Sequence, residues 1–275
     1  MIYLCLFHDY NMLPIINMLI DTHCHLDSDF SPKIIPDLLR EATLADVSIM
    51  IAVATELDSV KKVSEISSQY ENVFCTAGIH PHEAKKFNIS DVLILKEAAT
   101  NPKCKAIGEI GLDYHYKFST PEEQKYTLEQ QLNLAAKLGL PVVIHSREAE
   151  EDLEISLSRY AKRVKAGVIP GVLHCFTGTK EFGLKCLDLG FYVSFSGILT
   201  FKNADSIREC ARVFPLDRIV IETDAPFLAP VPWRGKKCEP SYLKLTAQKL
   251  AEIRGMSFDE VAKVTTENAK RLFNI

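Results

Sequence analysis

Near the amino-terminal end of the chain stands Asp21-Thr22-His23-Cys24-His25, two histidines one residue apart at the close of a short apolar run. In an extended strand the side chains alternate between faces, so His23 and His25 share one face and Cys24 takes the other. Two imidazoles so spaced can chelate one divalent ion, although an isolated H-x-H also arises as two polar residues at a strand end. Repetition gives the pattern chemical meaning. Glu109 closes the apolar run in AIGEIGLDY, His145 the one in PVVIHSRE and His174 the one in GVLHCF, and Asp224 follows the one in IVIETDAP. Ionisable groups at the ends of apolar strands are costly unless paired or ligated. Four histidines and two carboxylates brought to one place could serve one metal with ligands to spare. They suit two metals better, with a carboxylate between them. Histidine-rich ligation favours Zn, Mn or Co over Mg on softness grounds.

A scaffold must bring these residues together, and the intervening sequence describes one. Short runs rich in Val, Ile and Phe, at 19–22, 49–54, 73–78, 106–108, 142–144, 171–173, 192–195 and 219–221, alternate with longer amphipathic stretches. The helix over 121–138 is the best delimited. Thr120 is placed to cap it, Pro121 fits its first turn, Glu122 and Glu123 favour its dipole, and Gly139 and Pro141 stop it. Helices over 241–254 and 257–272 close the chain. Eight strands recurring about every 30 residues predict an α/β protein, a single-domain TIM-type (β/α)8 barrel with an extra C-terminal helix. A doubly wound parallel sheet has the same strand count and is the alternative. In a barrel the C-terminal strand ends form one rim, and Glu109, His145, His174 and Asp224 would all lie on it. No linker or change of composition divides residues 18–275. Residues 1–17 read as a short N-terminal extension, with Met18 as an alternative start.

The 275 residues are 47% hydrophobic and 25% charged, with a formal net charge of −4; these values exclude a disordered or fibrous chain. The slight acidity counts against a protein that grips nucleic acid through a broad basic face. It leaves nucleic acid open as a substrate, since bound metal ions would carry positive charge locally. Eight cysteines without a C-x-x-C pair, and no signal peptide, point to reduced thiols in the cytoplasm. The apolar N-terminal run is broken by His8 and Asp9 and is too short to span a bilayer, so no membrane partner is expected. No Gly-rich dinucleotide motif follows a strand, which argues against a nicotinamide enzyme. No cysteine has a histidine beside it that is free of the metal set, which argues against a thiol nucleophile.

With these residues in view, the chain resembles the TatD-related metal-dependent nucleases of the amidohydrolase superfamily. The resemblance is carried by LIDTHCHLD, GIHPH ending in His82, IGEIGLDYHY, PVVIHSREAEED, GVLHCFTGT, SFSGILTFKNA and IVIETDAPFLAP, in that order from residue 18 to the C-terminus. It implies a closed barrel, two divalent metal ions and phosphodiester hydrolysis in DNA, as a 3′-to-5′ exonuclease or repair nuclease. It assigns His23, His25 and Asp224 to one ion, His145 and His174 to the second, and Glu109 as the bridge. Glu109 and Asp224 are then the catalytic carboxylates, with Asp224 orienting or deprotonating the attacking water. The family is often described as magnesium-dependent, which keeps Mg beside Mn, Zn and Co.

The supporting positions carry two readings each. His80 resembles a position that faces the cleft and could donate to a substrate phosphate, or it structures its loop, as does His82. Arg147 could grip phosphate in bidentate fashion or pair with Glu109 or Glu222. Glu222 is expected to orient a ligand by hydrogen bonding rather than to ligate. Asp113 and Tyr114 resemble family positions without a settled role. Trp233, Arg234 and Lys236 could stack a base and hold a nucleic-acid backbone, or form a solvated basic loop. Cys238 stands where the family has Asn, which puts the pinning of that loop in question. Ser196 and Gly197 follow the seventh strand, where barrels often bind phosphate, though Gly197 could serve only a turn. Cys175 is expected to point away from its neighbour His174. The expected partner is transient DNA, the expected state a monomer without an obligate protein partner. One alternative is an ester or amide hydrolase on the same scaffold, such as a D-aminoacyl-tRNA deacylase. A non-catalytic nucleic-acid-binding scaffold is disfavoured, because all six ligands are present.

Overall fold

The computed structural model describes residues 18–29 and 31–275, so the extension read at 1–17 lies outside the described residues. Eight parallel strands follow one another in chain order: β1 (Leu19–Cys24), β2 (Val47–Ala52), β3 (Val73–Ala77), β4 (Cys104–Asp113), β5 (Val142–Arg147), β6 (Gly171–Leu173), β7 (Tyr192–Phe195) and β8 (Ile219–Ile221). The helices between and after them are α1 (Ile35–Leu44), α2 (Leu57–Gln69), α3 (Asp91–Ala98), α4 (Pro121–Leu138), α5 (Glu150–Ala161), α6 (Lys180–Asp188), α7 (Asp205–Val213), α8 (Leu243–Arg254) and α9 (Phe258–Phe273). Across the seam between β8 and β1, Cys24 bridges Ala225. The Asp224 amide donates to the His23 carbonyl and the His25 amide to the Ala225 carbonyl. The Thr22 hydroxyl donates to the Ile221 carbonyl at 3.0 Å. The strands thus close into the expected (β/α)8 barrel, and the open doubly wound sheet is excluded.

Strands covered on both faces read as near-continuous apolar runs, and here each face has its own core. Ile20, Ile51, Ala106, Val143, Val172 and Val220 fill the barrel interior, with Leu272 and Phe273 of α9 packed beneath them. The opposite strand faces, among them Met50, Ile144, Leu173 and Val193, pack on helix residues such as Val63, Leu128, Leu132 and Leu157. The extra helix α9 is tied to the entry of β8 by Asn268, whose side-chain amide donates to the Leu216 and Ile219 carbonyls at 2.8 and 2.6 Å. The α4 helix has the predicted bounds. Its capping box joins Thr120 to Glu123, and Gly139 ends it in the left-handed region at φ 70°.

The strand expected at 106–108 is far longer. It runs from Cys104 to Asp113, so Glu109 sits within β4 and not at its end. The cause is β5, which keeps pairing from Ile110↔Ile144 to Asp113↔Arg147. Glycines on either side of Glu109 depress the apparent strand propensity and hide this continuation. One of them, Gly111, lies at φ +153° with the neighbouring strand so near that an added Cβ would stand 2.0 Å from the His145 carbonyl oxygen. Simple alternation also carries only part of the site. Two steps from Val143, Val172 and Val220 lead inward to His145, His174 and Glu222. Ile20 and Ala106 lead to His23 and Glu109 only through irregular register, between Asp21 and Cys24 in β1 and between Ile107 and Ile110 in β4. Among the described residues no helix is long and apolar enough to cross a membrane.

Candidate metal centre

Glu109 stands at the centre of the rim, 3% exposed. Its Oε2 lies 3.4 Å from His23 Nε2 and 3.9 Å from His25 Nε2. Those two nitrogens are 3.3 Å apart, and Asp224 Oδ1 is 3.7 and 3.4 Å from them. The other oxygen, Oε1, is 2.8 Å from His174 Nε2, 3.0 Å from His145 Nδ1 and 3.4 Å from His80 Nε2. Donor atoms 2.0–2.1 Å from one tetrahedral ion lie about 3.3–3.4 Å from each other. The spacing and the mixed imidazole–carboxylate chemistry of these atoms fit divalent cations. The structure brings all six expected ligands together and adds His80 to the Oε1 side.

On His145, His174 and His25 the nitrogens turned away from the centre are held as well. His145 Nε2 meets Asp113 Oδ2 at 2.9 Å, His174 Nδ1 meets Glu222 Oε1 at 3.3 Å, and His25 Nδ1 meets the Val53 carbonyl at 3.2 Å. Such partners fix ring orientation and raise ligand basicity. Burial would discharge these groups, and their neighbours decide the outcome. Burial works to raise the Glu109 carboxyl, yet the imidazoles of His174, His80 and His145 hold it well below the usual carboxylate range. Asp224 is likewise held low against burial, by His25 and His23. Burial depresses the His25 ring, but Asp224 pushes it up to about 9, and Glu109 lifts His174 well above the ordinary histidine value. At His80 burial prevails and brings the ring down to about 4.

A cavity of about 630 Å³ opens over the cluster, with His80, His82, Tyr116, Arg147, Cys175 and Phe227 among its walls. Arg147 is exposed there and makes no ion pair with Glu109 or Glu222. Glu222 accepts the Cys175 amide at 2.7 Å besides its contact with His174. Cys175 corrects the expectation that it points away. β6 ends at Leu173, the Cys175 backbone turns to φ 42°, and its thiol meets Ser196 Oγ at 3.3 Å on the cavity wall. Ser196 spends its hydroxyl locally, accepting the Ile198 amide. At Gly197 a Cβ would come within 2.6 Å of the Leu228 carbonyl, which accounts for the glycine by close packing.

The structure does not bring Trp233, Arg234 or Lys236 into the cavity wall. Trp233 stacks on Tyr242 at 5.5 Å, the Lys236 ammonium lies 5.0 Å from the Trp233 ring, and the Arg234 guanidinium covers Phe201 at 3.8 Å. Their loop is pinned without the family's Asn: the Cys238 amide donates to the Pro226 carbonyl, and Lys33 reaches Glu239 at 2.7 Å. Sequence reasoning missed Asp21, a buried carboxylate that accepts the Thr223 amide at 2.9 Å and so fastens β1 to the segment after β8. Asp113, which has no role assigned by sequence, supports the cluster through His145. Its Oδ2 also takes His82 Nε2 at 2.9 Å, and its Oδ1 accepts the amides of His115 and Tyr116. The signal available in the sequence was an Asp two residues beyond a glycine, heading an aromatic loop.

Known proteins are similar to this chain over nearly its whole length. The profile of a family described as TatD related DNase matches residues 20–274. The uncharacterized metal-dependent hydrolase YabD of Bacillus subtilis is 40% identical over 258 residues, 94% of this chain and 100% of that protein. The 3′-5′ ssDNA/RNA exonuclease TatD of Erwinia tasmaniensis is 37% identical over 244 residues, 86% of this chain and 93% of that protein. Among solved structures, the TatD homolog YJJV of Escherichia coli superposes with a TM-score of 0.86 at 30% identity, covering 95% of this chain and 100% of that one.

Proposed function

This chain belongs to the TatD related DNase family of metal-dependent hydrolases, and from that premise we propose that it is a deoxyribonuclease that cleaves phosphodiester bonds with two divalent ions. The observation that carries the reading is Glu109, a buried carboxylate with each oxygen against a separate group of nitrogen donors. His23, His25 and Asp224 would hold one ion, His145 and His174 the other, and Glu109 both. When bound, Mg, Mn, Zn or Co at these positions polarises the phosphoryl oxygen and acidifies water.

The remaining work falls to the chain's own side chains. Asp224, kept ionised by His25 and His23, takes the proton of the attacking water as general base. Asp113 and Glu222 lock the rings of His145 and His174. His80 Nδ1 accepts the His82 amide, so a neutral His80 ring carries its proton on Nε2, the atom turned towards Glu109 and the cavity. It is placed there to donate to a phosphate oxygen, and the exposed Arg147 guanidinium to hold a second. Seven described cysteines are all free, which supports a reducing cytoplasm as the setting. A monomer that takes DNA transiently completes the reading.

The test is metal content together with cleavage of end-labelled single-stranded DNA in Mg, Mn, Zn and Co. Two ions per chain and metal-dependent shortening of the strand are expected. The Glu109→Ala/His145→Ala variant should lose bound metal and nearly all cleavage. A normally folded variant with full metal-dependent cleavage would sink the assignment. Release of D-amino acid from charged tRNA without shortening of the nucleic acid would favour the deacylase instead.

A further inference from the structure

Beyond the metal centre the loop after β4 raises two aromatic side chains into solvent, Tyr116 at 48% and Phe118 at 53% exposure. Their rings lie nearly parallel, 25° apart with centroids separated by 5.9 Å. They are not loosely placed. The Tyr116 amide is fixed by Asp113 Oδ1 at 2.9 Å, and the His82 ring backs Tyr116 at 5.4 Å and Phe118 at 4.8 Å. His82 is in turn held by the same Asp113 that orients His145.

Tyr116 is the wall shared by the metal cavity and a second cavity of about 460 Å³, which Phe118, Lys85 and Lys117 also line. Lys85 and Lys117 are exposed and form no ion pair among the described residues. Both acids of that second cavity are engaged elsewhere, Asp113 with the two histidines and Glu123 in the α4 capping box. Lys85 and Lys117 are thus the cations beside the aromatic pair, with the two carboxylates hydrogen-bonded to other groups. Two ring-to-ring steps, 6.2 Å from His145 to His82 and 5.4 Å from His82 to Tyr116, connect the metal ligands to the pair.

An exposed aromatic face with adjacent cations, continuous with a phosphodiester site, has the chemistry of a stacking platform for single-stranded nucleic acid. Resting on the nuclease reading above, we propose that Tyr116 and Phe118 form a shelf that stacks a nucleobase one or two nucleotides from the scissile phosphate, with Lys85 and Lys117 holding the strand's backbone. Stacking on a π-face does not distinguish bases, so the shelf favours unpaired strands over duplex with little sequence preference.

The probe is a phosphorothioate-linked oligothymidylate, which resists cleavage, carrying one 2-aminopurine near its 3′ end. It is added to the metal-loaded full chain, and fluorescence quenching and anisotropy are read together. The wild type is expected to quench the 2-aminopurine, and Tyr116→Ala/Phe118→Ala to abolish the quenching and weaken binding about tenfold. Tyr116→Phe/Phe118→Tyr, which keeps both ring faces, should retain quenching and affinity, which separates stacking from misfolding. Unchanged quenching and affinity in the alanine variant overturn the shelf while leaving the nuclease reading intact. A strand that neither binds nor is cut, as its natural-linkage form, overturns both. Quenching that depends on the two rings, with no cleavage in any metal, supports the shelf and overturns the nuclease.

Discussion

Asp113 meets two histidines with one carboxylate oxygen and two backbone amides with the other. Burial works to raise its pKa, but hydrogen bonds from His145 and His82 hold it well below the usual range, which favours the anion beside the proposed ligand His145. Asp113→Asn keeps the shape and removes the charge, and it should weaken metal affinity or turnover about 10–100-fold. Competition with a chromogenic chelator reads the affinity, and an unchanged constant would remove Asp113 from the support of the site. A second expectation concerns protons. In the metal-free cluster Asp224 pushes His25 up to about 9 against burial, and Glu109 holds His174 well above the ordinary histidine value, so both rings favour the protonated form near neutral pH. An ion requires neutral imidazole, so binding should release more than one proton, and affinity should fall as pH is lowered. Calorimetry in buffers of different ionisation enthalpy measures the release; heats independent of buffer would contradict it. At this scale the residues that converge on the candidate centre were legible, since chemistry-bearing residues ended apolar runs. Asp21, Asp113 and the engagement of Trp233 with Tyr242 were not, because they depend on which loops meet.

Among the elements, β4 governs the site. It carries Glu109 at mid-length, ends on Asp113, and is pressed against β5 at Gly111. Gly111→Ala should therefore destabilise the protein by about 3 kcal/mol, from a strained φ together with a backbone clash. Thr120→Ala, which removes only a cap, should cost about 1 kcal/mol. Urea unfolding of the two variants gives the order directly, and equal losses would show that β4 and β5 can part without penalty. The helices were easier to read than this strand. The α4 boundaries follow from Thr120, Pro121 and Gly139, local residues with local consequences. The length of β4 follows from pairing with β5, which is nonlocal, and its glycines disguise it.

For the whole molecule, the alternation of strands and helices made the barrel legible, while closure needed the seam between β8 and β1. That seam is also where His23, His25 and Asp224 meet, so an ion held by them would tie the first strand to the segment after the last. Ligand binding to the folded state alone stabilises by about 2.7 kcal/mol at a hundredfold excess over Kd. Chelation should accordingly lower the melting temperature by about 5–10 °C, and added Mn or Zn should restore it. Identical melts with and without chelator would show that the seam holds unaided. The placement of this seam has a bearing on synthesis and breakdown. A ribosome must add 199 residues after His25 to reach Asp224, so no nascent fragment that stops short of residue 224 possesses the carboxylate proposed as general base. Proteolysis that separates the two ends destroys the same constellation. On the proposed function, a nuclease built this way would cut DNA only once both ends of the chain have been made and joined.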